Sequence, residues 1–392
     1  MTHVMPPWPV FSKAEREAVD AVLHSGKVNA WTGPTVDAFE HEWCHAFNCS
    51  HALAMANGTL TLEVALEALK IPRGSDVLVP PRTYVASATA VVRTGGNPVF
   101  ADIDADSGCV TMDTLEAART PDTRAAIIVH LGGWPADMPA IMQWAQSHDI
   151  RIIEDVAQAH GAAIRNDAAE WQYAGTFGDA GSWSFCQDKI MSTGGEGGML
   201  VFKDEAVADR AWSLRDHGKS RRAVRDHVHD GKFAWFVESI GSNLRMTAMQ
   251  AAIGRVQLQL LPEWIDARTR NAGILHEALA AVPWLHTPKP PNAVRPAWYR
   301  CYAHVLDGGH ERRDTTLAAL QQAQVPAGIG SCPEIYKEAA LAPWRPAAPL
   351  AVARHLADTS LCFLCHPSAT AADMQNYTQD ILTCMASTAP TR

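Results

Sequence analysis

Short apolar runs alternate with helix-like segments between positions 51 and about 202, and this alternation constrains the fold more than any other feature of the sequence. Each apolar run has the length of a β-strand, and the segments between them are long enough for helices. Alternation of this kind indicates a mainly parallel sheet with helices on both faces. The apolar runs cover 51–56, 76–80, 98–101, 125–130 and 150–155, and the helix-like segments cover 59–70, 84–94, 112–118 and 138–147.

Two further helices are predicted before this region. Ser12 and Glu15 have the spacing of a capping box, and Gly26 can end the helix that begins there. A second helix is expected from about Thr35 to about Phe47.

The remainder of the chain predicts a smaller α+β unit. A long helical pattern follows Arg245 and stops at Pro262, because proline breaks the helical hydrogen-bond ladder. A separate helix is expected from 263 to about 281. The pattern then predicts a strand over 299–306, a helix over 314–324, and a last strand and helix beyond 361.

A chain of 392 residues is too long for one ordinary core, so we expect two domains. The large α/β domain would cover 1–262 and include an N-terminal arm. The smaller α+β domain would cover 263–392.

The charge balance and the apolar pattern limit the partners. Lys and Arg total 33, Asp and Glu total 42, and the formal net charge is −9, so nucleic acid is not expected as a partner. No apolar stretch reaches the length of a membrane span, and no export signal is visible. The nine cysteines are scattered and odd in number, so we expect reduced thiols in the cytoplasm.

Lys189 is the leading candidate for a catalytic residue. It follows a strand-like apolar stretch and precedes a glycine-rich turn. A partly buried amine in that place can form an imine with an aldehyde, since desolvation lowers the pKa of an amine. Taken alone, the pattern favours a lysine at a strand end with its amine in water, and it is the neighbouring motifs that favour a catalytic amine.

Polar residues follow several predicted strands, and the carboxyl ends of parallel strands meet at the ligand-binding edge of a sheet. Asn57, Gly58 and Thr59 end one strand and begin a helix, which predicts either an anion site or a simple cap. Asp155 at the end of another strand needs a cation or several donors, such as a protonated pyridine nitrogen or a helix start. Tyr84 can stack on a flat ring or pack into the core.

A second reading of the sequence is a zinc protease. His41, Glu42 and His45 have the spacing of a zinc-binding helix, and His51 stands where a third ligand would follow. Against it, Phe39 and its neighbours at helical spacing indicate an aromatic face turned towards a core.

The motifs in their order resemble the pyridoxal-phosphate-dependent sugar aminotransferases of the DegT/DnrJ/EryC1/StrS family over nearly the whole chain. The resemblance implies an α/β, aspartate-aminotransferase-like (fold type I) large domain with a mainly parallel mixed sheet. The motifs that carry it are residues 25–34, Asn57-Gly58-Thr59, residues 80–84, residues 97–100, Glu154-Asp155, residues 158–161, residues 184–198, residues 240–246, residues 330–336 and residues 364–367.

The resemblance also implies a role for each residue of the site. Lys189 would hold pyridoxal 5'-phosphate as an internal aldimine, and pyridoxamine 5'-phosphate would form during turnover. Asp155 would pair with the ring nitrogen, Tyr84 would stack on the ring, and Gln158 would lie beside its hydroxyl. The phosphate would be held by Gly58, Thr59 and Ser184, with Asn243 from the second subunit of a homodimer that shares its active sites.

The implied reaction is a ping-pong transfer of an amino group from an amino acid, expected to be L-glutamate, to a nucleotide-linked keto-sugar, expected to be a 4-keto-6-deoxyhexose. Such a product would serve a surface polysaccharide such as O-antigen or a glycosylated metabolite. Trp31, His217 and Lys219 are candidates for the substrate cleft. Two departures stand out: the connection over 166–176 is longer and more polar than expected, and Gln187-Asp188 before Lys189 is one of several variants in the family.

Overall fold

A computed structural model describes residues 5–166, 168–227 and 233–388 and contains a seven-stranded mixed sheet. The strand order is β1-β9-β8-β5-β4-β2-β3. Strands β3, β2, β4, β5 and β8 run parallel, whereas β9 is antiparallel to both β8 and β1. The predicted mainly parallel sheet is therefore confirmed. The strands are β1 His51–Met55, β2 Asp76–Val79, β3 Asn97–Phe100, β4 Thr123–Val129, β5 Arg151–Asp155, β8 Ala180–Ser184 and β9 Gly198–Phe202.

Helices cover both faces of this sheet. The two helices predicted before residue 51 and the four predicted between residues 59 and 147 are confirmed, and so is the capping box at Ser12 and Glu15. The helices of the first two thirds of the chain are α1 Lys13–Ser25, α2 Thr35–Phe47, α3 Gly58–Ala68, α4 Ala86–Arg93, α5 Met112–Ala118, α6 Met138–His148, α7 Glu205–Arg215 and α8 Arg221–Arg225.

One face of the sheet buries an aromatic cluster that α2 supplies. Phe39 and Trp43 are fully buried and contact Phe185 and Trp183 from the β8 region, with ring centroids 5.4 Å apart for Trp43 and Trp183. Gly254 makes this packing possible, because a Cβ there would lie 2.5 Å from the Phe39 ring. Burial of these rings fixes α2 against the sheet and turns its polar face to solvent.

The C-terminal part forms a smaller antiparallel sheet of four strands in the order β10-β12-β14-β13. Its predicted central strand, helix and final strand and helix are all present. The elements are β10 Leu285–His286, β12 Cys301–Val305, β13 Ala327–Gly328, β14 Ser360–Phe363, α10 Gly309–Gln322, α11 Ala351–Thr359 and α12 Ala371–Ser387.

The polar connection over 166–176 lies in a hairpin of its own. Strands β6 (Ala163–Arg165) and β7 (Trp171–Tyr173) pair with each other, and β6 also pairs with β11 (Val294–Arg295) to form a three-stranded sheet. Strand β6, which precedes this connection, thus links the two parts of the chain, and β7 adds an outer strand to it.

The prediction of two helices separated at Pro262 is wrong. A single helix, α9, runs from Ala248 to Leu279 with Pro262 inside it. One internal hydrogen bond is lost at the proline, but buried side chains such as Leu258 and Leu275 hold the helix on both sides of it. The expected domain division after residue 262 would fall within this helix and stays a prediction.

Among the described residues, no helix combines the length and the apolar character that crossing a bilayer requires.

Candidate active site

Two adjoining cavities lie at the carboxyl ends of the parallel strands. The inner cavity, of about 670 Å³, is lined by the start of α3 and the ends of β5 and β8. The outer cavity, of about 450 Å³, is lined by the loop before β12 and by residues near Ser331. Both cavities share the four lining residues Tyr84, Gln158, Asp188 and Lys189.

Lys189 lies where the two cavities meet. Its Nζ is 3.7 Å from Oδ1 of Asp188 and 5.1 Å from the centre of the Tyr299 ring. The backbone is held on both sides, because the Lys189 N–H donates to the carbonyl of Cys186 and the indole of Trp8 donates to the Lys189 carbonyl at 3.0 Å. Only 16% of the side chain is exposed. The backbone at Lys189 is therefore fixed in place, and its side chain is largely screened from water.

Asp155 is buried at the end of β5 and faces the inner cavity. Its carboxylate accepts hydrogen bonds from Oγ of Ser87 at 2.9 Å and from the backbone N–H of Ala157 at 3.1 Å. Burial raises the pKa of Asp155, and these two hydrogen bonds and the charge of Lys189 only partly offset it. A cation placed in the inner cavity would satisfy this carboxylate.

The preceding residue, Glu154, is fully buried, and protein donors surround its carboxylate. It accepts hydrogen bonds from the backbone N–H groups of Gly175, Phe177 and Gly178 at 2.7–2.8 Å, and it contacts Nε2 of His130 at 2.9 Å. Side chains alternate along a strand, so Glu154 anchors a loop while Asp155 remains available to the cavity.

The start of α3 forms a polar cradle. Asn57 caps the helix by accepting from the N–H of Leu60, and the first amides of a helix have no partner within it. Gly58 is required by close packing, since a Cβ there would lie 2.5 Å from Cβ of Ser184. Gly58, Thr59 and Ser184 line the inner cavity together, and donors arranged at a helix start suit a phosphate group.

Tyr84 and Gln158 complete the shared wall. Tyr84 is 68% exposed, so its ring is not part of the core and is free to cover a ligand. Oε1 of Gln158 accepts from the Gly132 N–H at 2.7 Å, and its Nε2 donates to Oγ of Ser331 at 3.2 Å. Gln158 thereby connects the large sheet to the loop that borders the outer cavity.

The structure adds residues to the site that sequence reasoning missed. The Tyr299 hydroxyl donates to the carboxylate of Asp188, and the guanidinium of Arg300 lies 4.3 Å from the Tyr299 ring centre. Burial tends to raise the pKa of Asp188, but Lys189, the Tyr299 hydroxyl and Arg300 together lower it. Tyr299 and Arg300 lie in the loop before β12, far along the chain, and only a predicted strand over 299–306 pointed to them.

The other predicted residues lie outside both cavities of their own chain. Trp31 and Lys219 meet at the buried carboxylate of Asp216, to which the Trp31 indole donates at 2.7 Å and the Lys219 amine at 3.0 Å. His217 is exposed and adopts a left-handed backbone with φ of 58°. Asn243 is exposed and pairs with Asp216 through the backbone. Their roles in binding stay predictions.

The zinc-protease reading is wrong. Because the aromatic face of α2 is buried, His41 and His45 point to solvent, and both oxygens of Glu42 accept from the guanidinium of Arg255. His51 begins β1 instead of completing a ligand set. Within the described part of the chain, no group of three or more acidic, histidine or cysteine side chains could hold a metal ion.

The inner cavity fits a flat aromatic aldehyde that carries a phosphate and a basic ring nitrogen. The α3 start can hold the phosphate, the buried Asp155 can hold a proton on the ring nitrogen, and the Lys189 amine can bond to the aldehyde. Pyridoxal 5'-phosphate has each of these groups.

The chain resembles known aminotransferases in sequence. The profile of the DegT/DnrJ/EryC1/StrS aminotransferase family matches residues 9–381. Over 291 residues the chain is 36% identical to the spore coat polysaccharide biosynthesis protein SpsC of Bacillus subtilis. This match covers 74% of the chain and 73% of that protein. It is likewise 36% identical over 292 residues to the UDP-N-acetyl-3-dehydro-alpha-D-glucosamine 3-aminotransferase of Acidithiobacillus ferrooxidans, with coverage of 74% and 73%.

The fold is also similar to solved structures. The X-ray structure of an aminotransferase from Psychrobacter cryohalolentis superposes with a TM-score of 0.94 at 41% identity, and the match covers 98% of this chain and 99% of that one.

Proposed function

Because the chain belongs to the DegT/DnrJ/EryC1/StrS aminotransferase family and is a sugar aminotransferase, we propose that it transfers the amino group of L-glutamate to a nucleotide-linked keto-sugar. The fold is that of the fold-type-I aminotransferases, and the cofactor is pyridoxal 5'-phosphate. The observation that carries the proposal is the position of Lys189, whose amine lies between a cavity suited to the cofactor and a second cavity open to a substrate.

When bound, the cofactor supplies a carbonyl that accepts the amino group and a ring that spreads the negative charge left on the reacting carbon. Gly58, Thr59 and Ser184 would hold its phosphate. Asp155 would keep the ring nitrogen protonated, because a cation on that nitrogen offsets the burial that raises the pKa of the carboxyl. Tyr84 would cover the ring, and Gln158 would contact its edge.

Lys189 would then act as the acid and base. Its Nζ would remove the proton from the α carbon of the amino donor and deliver it to the carbon that was the carbonyl carbon of the cofactor. The same amine would run these steps in reverse on the keto-sugar, so the two substrates would use one site in turn and the kinetics would be ping-pong. Asp188 and Tyr299 lie beside the amine and support this role by fixing its position.

Two classes of keto-sugar are candidates for the acceptor. A 4-keto-6-deoxyhexose is the sequence-based expectation, with a polysaccharide such as O-antigen or a glycosylated metabolite as the destination of the product. The 36% identity to the Acidithiobacillus ferrooxidans enzyme favours a second candidate, a UDP-linked 3-keto sugar, because the name of that relative specifies amination at carbon 3.

We also propose that the active unit is a homodimer with shared sites. The 233–240 segment exposes four large apolar side chains, which a second copy would cover, and they are Phe233, Trp235, Val237 and Ile240. Asn243 is exposed beyond this segment and lies outside the inner cavity of its own chain, which supports its predicted contact with the other subunit's cofactor. Trp31, His217 and Lys219 would reach the substrate from the same subunit as Asn243.

A cytoplasmic location is part of the proposal. All nine cysteines are free, including pairs close in space such as Cys301 and Cys365, which suits a reducing compartment.

The test compares Lys189→Ala with the exposed-surface control Lys13→Ala. After loading with pyridoxal phosphate, the wild type and the control should show visible absorbance from the bond to Lys189, and L-glutamate should abolish it. A panel of nucleotide-linked 3-keto and 4-keto sugars should then restore it for one class only. Full turnover in Lys189→Ala, or no response to any keto-sugar in the wild type, would refute the proposed function.

A further inference from the structure

The outer cavity carries an excess of positive charge. Its charged lining residues are Asp188, Lys189 and Arg300, which leaves one positive charge over. A further cation lies behind its wall, because the fully buried guanidinium of Arg82 is 4.9 Å from the centre of the Tyr302 ring, which also lines the cavity. Such a cavity favours an anionic ligand.

Arg300 is the cation that remains available. Asp188 lies within ion-pair distance of Lys189 and accepts from the Tyr299 hydroxyl, so its carboxylate is engaged. In the described part of the chain, no carboxylate forms an ion pair with Arg300, whose only side-chain hydrogen bond runs from Nη1 to the carbonyl of Tyr299 at 3.1 Å. Most of the five N–H donors of the guanidinium therefore have no acceptor among the described residues.

The position of Arg300 is fixed relative to the site. Its backbone N–H donates to the carbonyl of Gly132 at 3.1 Å, and the Gly132 N–H donates to Gln158, a residue of the shared wall. Its guanidinium lies over the same Tyr299 ring that the Lys189 amine approaches to 5.1 Å. The guanidinium and the amine are thus held beside a single ring.

We propose that Arg300 binds the α-carboxylate of the amino-acid donor and so orients its α carbon towards Lys189. This inference rests on the proposed function. The planar guanidinium matches a carboxylate through two parallel hydrogen bonds. The α-carboxylate is bonded directly to the carbon that Lys189 deprotonates, so its partner must lie in the same part of the site as that amine, and Arg300 shares the Tyr299 ring with it.

The diphosphate of a nucleotide sugar is the other anion that could reach a cavity of this charge. It is attached to carbon 1 of the sugar, and a keto group at carbon 3 or carbon 4 is separated from it by the width of the ring. A diphosphate would therefore lie farther from Lys189 than a carboxylate does when either substrate reacts, and this favours the carboxylate at Arg300.

The experiment measures each half-reaction alone by stopped-flow absorbance in cofactor-loaded Arg300→Gln, Arg300→Lys and the control Arg295→Gln. Arg295 stacks on Trp171 in the three-stranded sheet, away from both cavities. In Arg300→Gln the L-glutamate concentration for half-maximal rate should rise about 10- to 100-fold. Arg300→Lys should recover part of the loss, because a lysine keeps the positive charge but lacks the planar pair of N–H donors. The keto-sugar dependence should change less than about threefold.

Each other outcome overturns the inference in a distinguishable way. A loss confined to the keto-sugar half-reaction would assign Arg300 to the diphosphate. Equal loss in both halves together with a lower melting temperature would make Arg300 structural, and an unchanged glutamate dependence would leave it without a role in binding. A wild type that reacts with L-glutamate but with no keto-sugar would refute the proposed sugar substrate while the donor arm still decides the role of Arg300.

Discussion

The indole N–H of Trp31 donates a hydrogen bond of 2.7 Å to Oδ2 of Asp216, a carboxylate that is almost completely buried. Two cations bind the other oxygen, the amine of Lys219 at 3.0 Å and the guanidinium of Arg245 at 2.8 Å. The Lys219 amine also lies 4.3 Å from the centre of the Trp31 ring. One carboxylate thus ties the segment of Arg245 to Trp31 and Lys219, the two side chains among its partners that were predicted to border the substrate cleft.

Asp216→Asn should destabilise the protein by about 3 kcal/mol, because it leaves two largely buried cations without their carboxylate. Urea unfolding of the cofactor-free protein measures this loss. The matched control is Asp209→Asn, whose partner Arg221 is exposed, and it should change the free energy of unfolding by less than about 0.5 kcal/mol. Equal effects of the two substitutions would contradict the central role of Asp216.

Gly58→Ala should weaken cofactor binding and lower stability, since the new Cβ would lie 2.5 Å from Cβ of Ser184 and force apart two predicted phosphate-binding residues. Fluorescence titration with pyridoxal phosphate should show a dissociation constant raised by at least about tenfold. Gly273→Ala serves as the control: it lies within α9, and a Cβ there meets nothing within 4 Å. That substitution should stabilise the protein by about 0.5–1 kcal/mol and leave cofactor binding unchanged.

Local patterns predicted the helices and strands up to residue 155, because strand length and helix caps are signals that neighbouring residues carry. Strand-length apolar runs and capping residues fixed the elements, and the rule that ligands bind at the carboxyl ends of parallel strands brought Thr59, Asp155 and Lys189 to one edge. Seven of the eight predicted cofactor-binding residues line the inner cavity, whereas Asn243 does not.

The errors and omissions came from interactions between distant segments. Pro262 read as a helix end, but packing of α9 against α1, α2 and α12 keeps the helix continuous. The histidines of α2 read as zinc ligands until burial of Trp43 showed which face points inward. Arg300 carries no local motif, because its relation to Lys189 arises only when two regions 111 residues apart share the Tyr299 ring.

Replacing Trp235 and Ile240 together by Glu should convert the proposed dimer to monomers. These side chains are 89% and 91% exposed, and a dimer interface that covers them could not accept two buried charges. Analytical ultracentrifugation at micromolar concentration measures the change. Leu306→Glu is the control, because Leu306 is 63% exposed but lies apart from the 233–240 segment. Monomeric wild type, or a dimer that survives the double substitution, would contradict an interface at this segment.

The raised pKa of Asp155 predicts how the cofactor-free protein responds to pH. Burial makes the folded state bind the proton of Asp155 more tightly than the unfolded state does, so this group stabilises the fold at low pH and that contribution is lost as pH rises through the raised pKa. Asparagine has no such proton, so cofactor-free Asp155→Asn should gain stability relative to wild type between pH 4.5 and pH 8. Each unit of pKa shift corresponds to about 1.4 kcal/mol.

Cofactor loading at pH 8 should act in the opposite direction and stabilise the wild type more than Asp155→Asn. A protonated ring nitrogen would pair with the Asp155 carboxylate in the wild type, and an asparagine amide offers that nitrogen no charge. Pyridoxal phosphate should therefore raise the melting temperature of the wild type more than that of Asp155→Asn, with the difference measured by scanning calorimetry at saturating cofactor. If the two proteins differ by the same amount at pH 4.5 and pH 8 without cofactor, and gain equally from it, then Asp155 is a structural carboxylate and the ring nitrogen binds elsewhere.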